Sequence, residues 1–163
     1  MVGTEYACFT LMTEIKLENS TKTTLVDDAD AVLVSQYKWF LVKSKKHEYA
    51  ITYKPEKIYM HKLLLNRRGY NLVDHKDNNG LNNQRDNIRP CSYAQNQFNQ
   101  IKHTGTSKYK GVYFHASRGK WMARIKFNYK DIYLGYFLTE LEAAQAYDLK
   151  AKELFKEYAR PNF

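Results

Sequence analysis

The chain has 163 residues and a mass of 19.3 kDa, which is enough for one ordinary domain or two small ones. Hydrophobic residues make up 44% of it, which is typical of a packed protein and excludes a wholly disordered or collagen-like chain. Lys and Arg number 26 against 17 Asp and Glu, so the formal net charge is +9 and the isoelectric point is near 9.4.

Short strands separated by turns occupy the first third of the chain. Runs of β-branched and aromatic residues bounded by turn residues predict four strands and then a short helix. The strands are 14–17, 23–26, 37–42 and 49–53, and the helix is 59–65. We interpret this part as a small β-rich platform.

A strand, a polar loop, a second strand and a helix follow the platform. Asn71–His75 has a strand pattern, 76–86 is polar, and 87–91 is extended again. Ser92 is followed three residues later by Gln, which is the spacing of a capping box. A helix is therefore predicted to begin at Ser92 and to run to about residue 101.

The last third of the chain predicts a sheet and a helix. Residues 102–107 have the small, polar composition of a linker. Thr139 and Glu142 have capping-box spacing, and an amphipathic pattern of about 17 residues follows. The three strand-like runs before it predict a three-stranded antiparallel sheet: 110–115, 120–127 and 132–137. We expect an α+β protein with two domains, 1–101 and 108–163, whose final helix leaves one face of the sheet open.

The positive charge is concentrated in one window of the chain. Residues 1–60 carry eight basic and eight acidic side chains, whereas 97–130 carry eight basic and no acidic ones. Aromatic and histidine residues are interleaved with these cations: Tyr109, Tyr113, Phe114, His115, Trp121, Phe127 and Tyr129. This mixture is typical of a surface that contacts phosphates and bases, and a solvated basic face is the alternative on composition alone.

The side chains best suited to catalysis lie between residues 74 and 96. Asp74 and His75 are neighbours on a predicted strand, so they point to opposite faces and can serve different roles. Asn96, near the start of the following helix, is expected to face Asp74. A carboxylate and an amide oxygen form an incomplete set of hard ligands, which suits magnesium better than zinc. Nucleic acid would supply the missing ligands.

Residues 13–101 resemble the HNH nuclease family, in particular the HNH homing endonucleases of phages and mobile introns. The matching segments are Met60-His61-Lys62-Leu63, Val73-Asp74-His75, Asn82-Asn83, Asn87-Ile88-Arg89 and Gln95-Asn96. The resemblance implies a ββα-metal fold and a phosphodiester hydrolase that leaves a 5′-phosphate and a 3′-hydroxyl. It also implies an enzyme encoded by a phage or mobile element.

The resemblance assigns roles to four residues. His75 is the general base, Asp74 and Asn96 hold a divalent metal, magnesium or manganese, and Asn87 orients the His75 ring. The sequence departs from the motif that names the family, because Asn96 stands where the final histidine is expected and Asp74 precedes the base. His61, on the helix that leads into this region, is interpreted as a packing or hydrogen-bonded residue.

Residues 107–163 resemble the DNA-binding domain of plant apetala-two and ethylene-response-factor transcription factors. The matching segments are 107–112, 119–123, 133–137, 142–148 and 162–163. The resemblance implies that the sheet enters the major groove of double-stranded DNA. The positions implied to contact DNA are Lys110, Tyr113, His115, Arg118, Arg124, Lys126 and Tyr133. Strand alternation places Trp121 on the opposite face, under the helix.

We therefore expect a site-specific DNA endonuclease that acts as a monomer, nicks one strand and needs no small-molecule cofactor. Two alternatives stay open: a non-catalytic DNA-binding transcription regulator with a degenerate nuclease fold, and an RNA-binding protein. No stretch approaches the roughly 18 apolar residues of a membrane span, so no membrane partner is expected. Cys8 and Cys91 are too few for a disulfide framework, which favours the cytoplasm.

Overall fold

The computed structural model describes residues 11–44, 47–65, 72–99 and 106–163. The chain divides into two compact units, Met1–Cys91 and Ser92–Phe163, each a mixture of α and β structure. The predicted linker at 102–107 lies mostly outside the described residues, so it stays a prediction. Within the described ranges, no helix is long and apolar enough to cross a membrane.

The first unit is built from small antiparallel sheets. Strand β1 pairs with β2, β4 lies between β3 and β5, and β6 pairs with β7. The elements in chain order are β1 (Met12–Lys16), β2 (Thr23–Asp27), α1 (Asp28–Val34), β3 (Phe40–Ser44), β4 (His47–Tyr53), β5 (Lys57–Tyr59), α2 (Met60–Leu64), β6 (Leu72–His75) and β7 (Ile88–Cys91). The β-rich platform predicted from the sequence is confirmed.

One apolar core joins these elements. Trp39 is fully buried, and its indole Nε1 donates a hydrogen bond of 2.8 Å to the carbonyl of Val34. The other buried members come from strands and helices on every side: Leu17, Val26, Val34, Ala50, Met60, Leu64 and Ile88. Each small sheet contributes only one or two of these described side chains, so the sheets are stabilised by a core that they share.

Helix α1 is absent from the sequence prediction. Only two of its seven residues, Asp30 and Val34, are buried, so its sequence lacks the repeating apolar stripe of a longer helix. Its first turn contains the acidic residues Asp28 and Asp30, which are favourable at a helix N-terminus. This was the sequence feature that could have indicated the helix. Strand β5 was also missed, because three residues are too few to show alternation.

The second unit begins with the predicted capping box. The Ser92 hydroxyl accepts from the Gln95 amide at 3.2 Å, and the Ser92 N–H donates to Gln95 Oε1 at 2.7 Å. This box starts helix α3 (Tyr93–Phe98). The ring of Phe98 stacks on Phe155 with centroids 3.8 Å apart and planes within 9°. Helix α3 is therefore packed within the second unit.

The predicted sheet and helix are confirmed. Strands β8 (Val112–His115), β9 (Lys120–Phe127) and β10 (Lys130–Phe137) are antiparallel with β9 in the centre, and α4 (Glu140–Phe155) packs on one face. The capping box of Thr139 and Glu142 begins α4. Trp121 packs against the core of Val112, Ala123, Ala143 and Ala144, under the helix as expected.

Candidate active site and nucleic-acid interface

Asp74 lies on β6 opposite Arg89 of β7. Its carboxylate oxygen Oδ2 accepts hydrogen bonds from Arg89 Nε at 3.1 Å and from Nη2 at 2.8 Å. Asp74 is only 5% exposed, and a buried carboxylate is stable only when its charge is paired. The cross-strand register therefore supplies the guanidinium that balances the Asp74 charge.

The neighbouring side chain, His75, is also buried and is held by an amide. Its Nε2 lies 3.3 Å from Asn83 Oδ1, and Asn83 Nδ2 donates to Thr24 Oγ1 at 2.7 Å. The Thr24 hydroxyl donates onward to the Leu81 carbonyl at 2.7 Å. Because the Thr24 hydroxyl donates its only proton to Leu81, it can only accept a hydrogen bond from Asn83. The Asn83 NH₂ group therefore faces Thr24, and its amide oxygen faces the His75 ring. The contact places the imidazole proton on Nε2 and the lone pair on Nδ1.

Burial also sets the protonation of His75. Desolvation lowers the pKa of the ring, and this effect outweighs the opposing contributions of Asn83, Asp77 and Asp74. At neutral pH the imidazole is therefore unprotonated. A neutral ring with its lone pair on Nδ1 is the form that can accept a proton.

Aromatic rings form the wall behind His75. His61 meets it edge to face with centroids 4.9 Å apart, and Tyr49 lies 5.7 Å from His61 and 6.1 Å from His75. Tyr59 lies 5.4 Å from His61 on the other side. Desolvation lowers the pKa of His61 to about 3, with smaller contributions from His75 and Lys62. His61 is a neutral packing residue in this structure.

Asn87 bonds to the polar loop between β6 and β7. Its Nδ2 donates to Asp77 Oδ1 at 3.0 Å and to the Asn82 carbonyl at 2.7 Å, and its Oδ1 accepts from the Asp77 N–H at 3.1 Å. Asn83, which contacts the His75 ring, belongs to a matching segment of the sequence but was assigned no role there. In the structure Asn83 stands out because its side chain is fully buried although it belongs to a polar loop. Burial of this kind cannot be read from a single sequence.

Helix α1 and strand β2 hold this loop in place. The Arg85 side chain donates to both carboxylate oxygens of Asp30 at 2.7 Å, and its backbone N–H donates to Asp27 at 2.9 Å. Leu25 pairs with the loop through its N–H to Leu81 and its carbonyl to Asn83, each at 2.8 Å. These bonds fix the loop position from which Asn83 reaches His75.

Asn96, the other predicted metal ligand, lies on α3 in the second unit and is partly buried. In the described ranges, no group of three His, Cys, Asp or Glu side chains is arranged to hold a metal. The carboxylate of Asp74 and the amide of Asn96 are nevertheless hard oxygen donors, which fit magnesium and manganese better than zinc.

The open face of the sheet carries most of the predicted DNA contacts. The Arg124 guanidinium lies 4.6 Å from the centroid of the Tyr113 ring, and Arg124 pairs across the strands with Tyr133. Asp131 is 3.8 Å from Arg124, a long and exposed ion pair. Lys126 is exposed two residues further along the same strand. These side chains form one basic, aromatic surface.

Tyr136 joins this surface because of an irregularity in β10. The register shifts between Tyr133 and Gly135, where Gly135 has φ 133°. One extra residue reverses the alternation, so Tyr136 lies 5.4 Å from Tyr133 and 5.3 Å from His115. The Arg118 guanidinium lies 4.9 Å from the Tyr136 ring. Strict alternation from Tyr133 would place Tyr136 on the opposite face of the sheet. The glycine within the strand was the sequence feature that could have indicated the irregularity.

Lys110 has a different environment from the other predicted DNA contacts. Its ammonium donates to the Phe98 carbonyl at 2.5 Å, at the C-terminal end of α3. Burial, with a smaller contribution from the charge of Arg160, lowers the pKa of Lys110 to about 8. The structure therefore places Lys110 against α3. The other predicted contacts lie on the sheet or its turn: Tyr113, His115, Arg118, Arg124, Lys126 and Tyr133.

Comparison with known proteins identifies both parts of the chain. Residues 107–157 match the AP2 domain family. They are also similar to AP2-like ethylene-responsive transcription factors, with 53% identity over 49 residues to AIL7 of Arabidopsis thaliana and 51% over 49 residues to CRL5 of Oryza sativa. Each match covers 29% of this chain, but only 10% and 8% of those plant proteins.

A longer match covers both units. An uncharacterized HNH endonuclease of Acanthamoeba polyphaga mimivirus is 37% identical over 141 residues, which is 80% of this chain and 69% of that protein. The resemblance inferred from the two groups of motifs is thereby confirmed. The chain belongs to the HNH endonuclease family and carries an AP2 domain in its C-terminal part.

Proposed function

We propose that the protein is a site-specific, homing-type DNA endonuclease that uses a divalent metal to nick one strand of double-stranded DNA. The observation that carries the proposal is the His75 ring, which is neutral, oriented by Asn83 and adjacent to the ion-paired Asp74. Membership of the HNH endonuclease family supports the same chemistry.

In the proposed reaction His75 is the general base. Its Nδ1 takes a proton from a water molecule as the water oxygen attacks the phosphorus of the scissile phosphodiester. The bond from phosphorus to the 3′-oxygen breaks, and that oxygen takes up a proton from solvent, which leaves a 5′-phosphate and a 3′-hydroxyl. General-base catalysis by a positioned side chain is typically worth about 10²–10⁴ in rate.

Asp74 and Asn96 are the proposed metal ligands, with magnesium or manganese as the ion. When bound, such an ion stabilises negative charge on the phosphate and on the departing oxygen. Arg89 holds the Asp74 carboxylate through its Oδ2 atom and so fixes the side chain on β6. We infer that β6, β7 and α3 correspond in chain order to the ββα-metal motif.

Two asparagines position the base in this proposal. Asn83 touches the ring directly, whereas Asn87 closes the loop that carries Asn83 and Asp77. Orientation by Asn87, which the family resemblance implies, then acts through the loop. The AP2 domain brings the nuclease to its DNA site, and one nuclease site per chain suits a monomer that nicks.

The test is nicking of a supercoiled plasmid that contains the target site, with magnesium and with a chelator. We expect wild-type protein to nick only with the metal, and His75→Ala to lose about 10²-fold or more in rate while it still binds DNA. Asn83→Ala should lose about tenfold or more at unchanged DNA affinity. The matched control for Asn83→Ala is Asn19→Ala, since Asn19 is an asparagine of the first unit whose side chain bonds to the backbone of Leu41.

The outcomes separate the alternatives. Tight DNA binding without metal-dependent nicking at any pH would refute the nuclease and favour a transcription regulator. A preference for single-stranded RNA over duplex DNA would favour an RNA-binding protein. A slow Asn87→Ala variant beside a fully active Asn83→Ala variant would assign ring orientation to Asn87 alone.

A further inference from the structure

A groove in the second unit lies between α3, the β9–β10 turn and the C-terminal part of α4. Its cavity volume is about 410 Å³, and the buried rings of Tyr147 and Phe155 form part of its lining. Two other tyrosines of its lining are highly exposed, Tyr93 at 69% and Tyr129 at 95%. An apolar groove with exposed aromatic rings is a candidate binding site.

Tyr129 occupies an unusual backbone position. Asn128 and Tyr129 form the two-residue turn between β9 and β10, with φ values of 48° and 63°. Glycine or asparagine is favoured where φ is positive, and a bulky aromatic residue is rare there. Since the Tyr129 ring is almost fully exposed, packing within the fold does not account for a tyrosine at this position.

The charge of the groove indicates an anionic ligand. Lys110 and Lys126 line it together with the amides of Gln97 and Asn128, and none of its described lining side chains is acidic. The surrounding window, 97–130, has eight basic and no acidic residues. Aromatic faces, amides and cations without carboxylates suit a nucleotide, because a base stacks on an aromatic ring and a phosphate pairs with an ammonium.

We propose that this groove binds an unpaired nucleotide of a DNA strand. The base stacks on an exposed tyrosine of the groove, Tyr129 or Tyr93, and the phosphate contacts Lys126. DNA is the expected polymer because the same unit contains the AP2 domain. The site differs from the open face of the sheet in that it recognises a base face, which duplex DNA hides within its stack. It does not depend on the proposed cleavage.

The test compares unpaired with paired DNA. Binding of the full chain is measured by fluorescence anisotropy with an oligothymidylate of about 16 nucleotides and with a blunt duplex of about 16 base pairs. We expect whichever of Tyr129→Ala and Tyr93→Ala removes the stacked ring to weaken oligothymidylate binding about tenfold, with duplex binding unchanged within about twofold. Tyr53→Ala, an exposed tyrosine of the first unit, is the control and should change neither.

Three results would overturn the proposal. The first is absent binding of oligothymidylate by the wild type. The second is groove variants that lose no oligothymidylate affinity, or lose equally on both probes. The third is tighter binding of oligouridylate RNA than of oligothymidylate. The plasmid assay is independent of this test. If the chain binds oligothymidylate as expected but does not nick the plasmid, the proposed nucleotide site stands and the proposed nuclease activity is refuted. Circular dichroism of the variants checks that the exposed substitutions leave the fold intact.

Discussion

At the scale of single residues, His61 and His75 share one buried wall, and both rings are kept neutral mainly by desolvation. The adjacency of Asp74 and His75 was enough to predict two different chemical roles, because alternation along a strand is a local rule. The partner of the His75 ring was not predictable in this way. Asn83 reaches it only because the loop returns along β2, a contact between residues far apart in the sequence.

The neutral state of His61 predicts acid sensitivity. Its folded pKa of about 3 lies below the ordinary 6.5, so the unfolded chain binds more protons between these values. The free energy of unfolding should therefore fall as pH drops from 6.5 toward 3, by up to about 1.4 kcal/mol per pH unit. Urea titrations at pH 7 and pH 5 measure this change. Between these pH values the free energy of unfolding should fall by about 2 kcal/mol more in the wild type than in His61→Phe. Equal losses in the two proteins would contradict this assignment.

At the scale of elements, regular patterns were predictable and short or interrupted ones were not. The C-terminal strands and α4 have alternation or helical spacing over eight residues or more in three of four cases, and they were predicted close to their bounds. Helix α1 buries only Asp30 and Val34, and Tyr136 changes face through one inserted residue. Both features depend on tertiary packing that the local pattern does not contain.

Two glycines of the second unit give a matched prediction. Gly111 has φ +76°, and a Cβ there would lie 2.0 Å from the Tyr147 ring, whereas Gly119 has φ +59° with nothing within 4 Å. Gly119→Ala should lower the free energy of unfolding by about 1 kcal/mol, from backbone strain alone. Gly111→Ala adds a steric clash and should cost about 3 kcal/mol or more. Urea unfolding of both variants measures the difference, and similar losses would refute the close approach of Tyr147.

At the scale of the whole molecule, charge is divided unevenly along the chain. The candidate site of the first unit balances its buried carboxylate with Arg89, while the sheet and its turn expose Arg118, Arg124 and Lys126 to solvent. Balanced charge in one unit and unbalanced charge in the other suit the proposal that one part does chemistry and another attracts a polyanion. The sequence predicted the concentration of positive charge in 97–130, because counting charges requires no knowledge of the fold.

The exposed cations predict a steep salt dependence of DNA binding. If about six phosphates are contacted, affinity for duplex DNA should fall about 10³-fold between about 50 and 200 mM salt. Arg124→Ala should reduce the slope of log affinity against log salt by about one. Lys150→Ala, which removes a cation of α4 paired with Glu153 at 2.6 Å, is the control and should leave the slope unchanged. A flat response of the wild type would count against the sheet as a DNA-binding surface.

The stacking of Phe98 on Phe155 affects how this chain can be divided for separate expression. The AP2 match begins at 107, yet the hydrophobic packing of that half begins earlier, with α3. A fragment that starts at 107 would leave the Phe155 ring and its neighbour Phe127 without their cover and would tend to aggregate. A fusion of the AP2 domain to another protein therefore requires a junction ahead of Ser92.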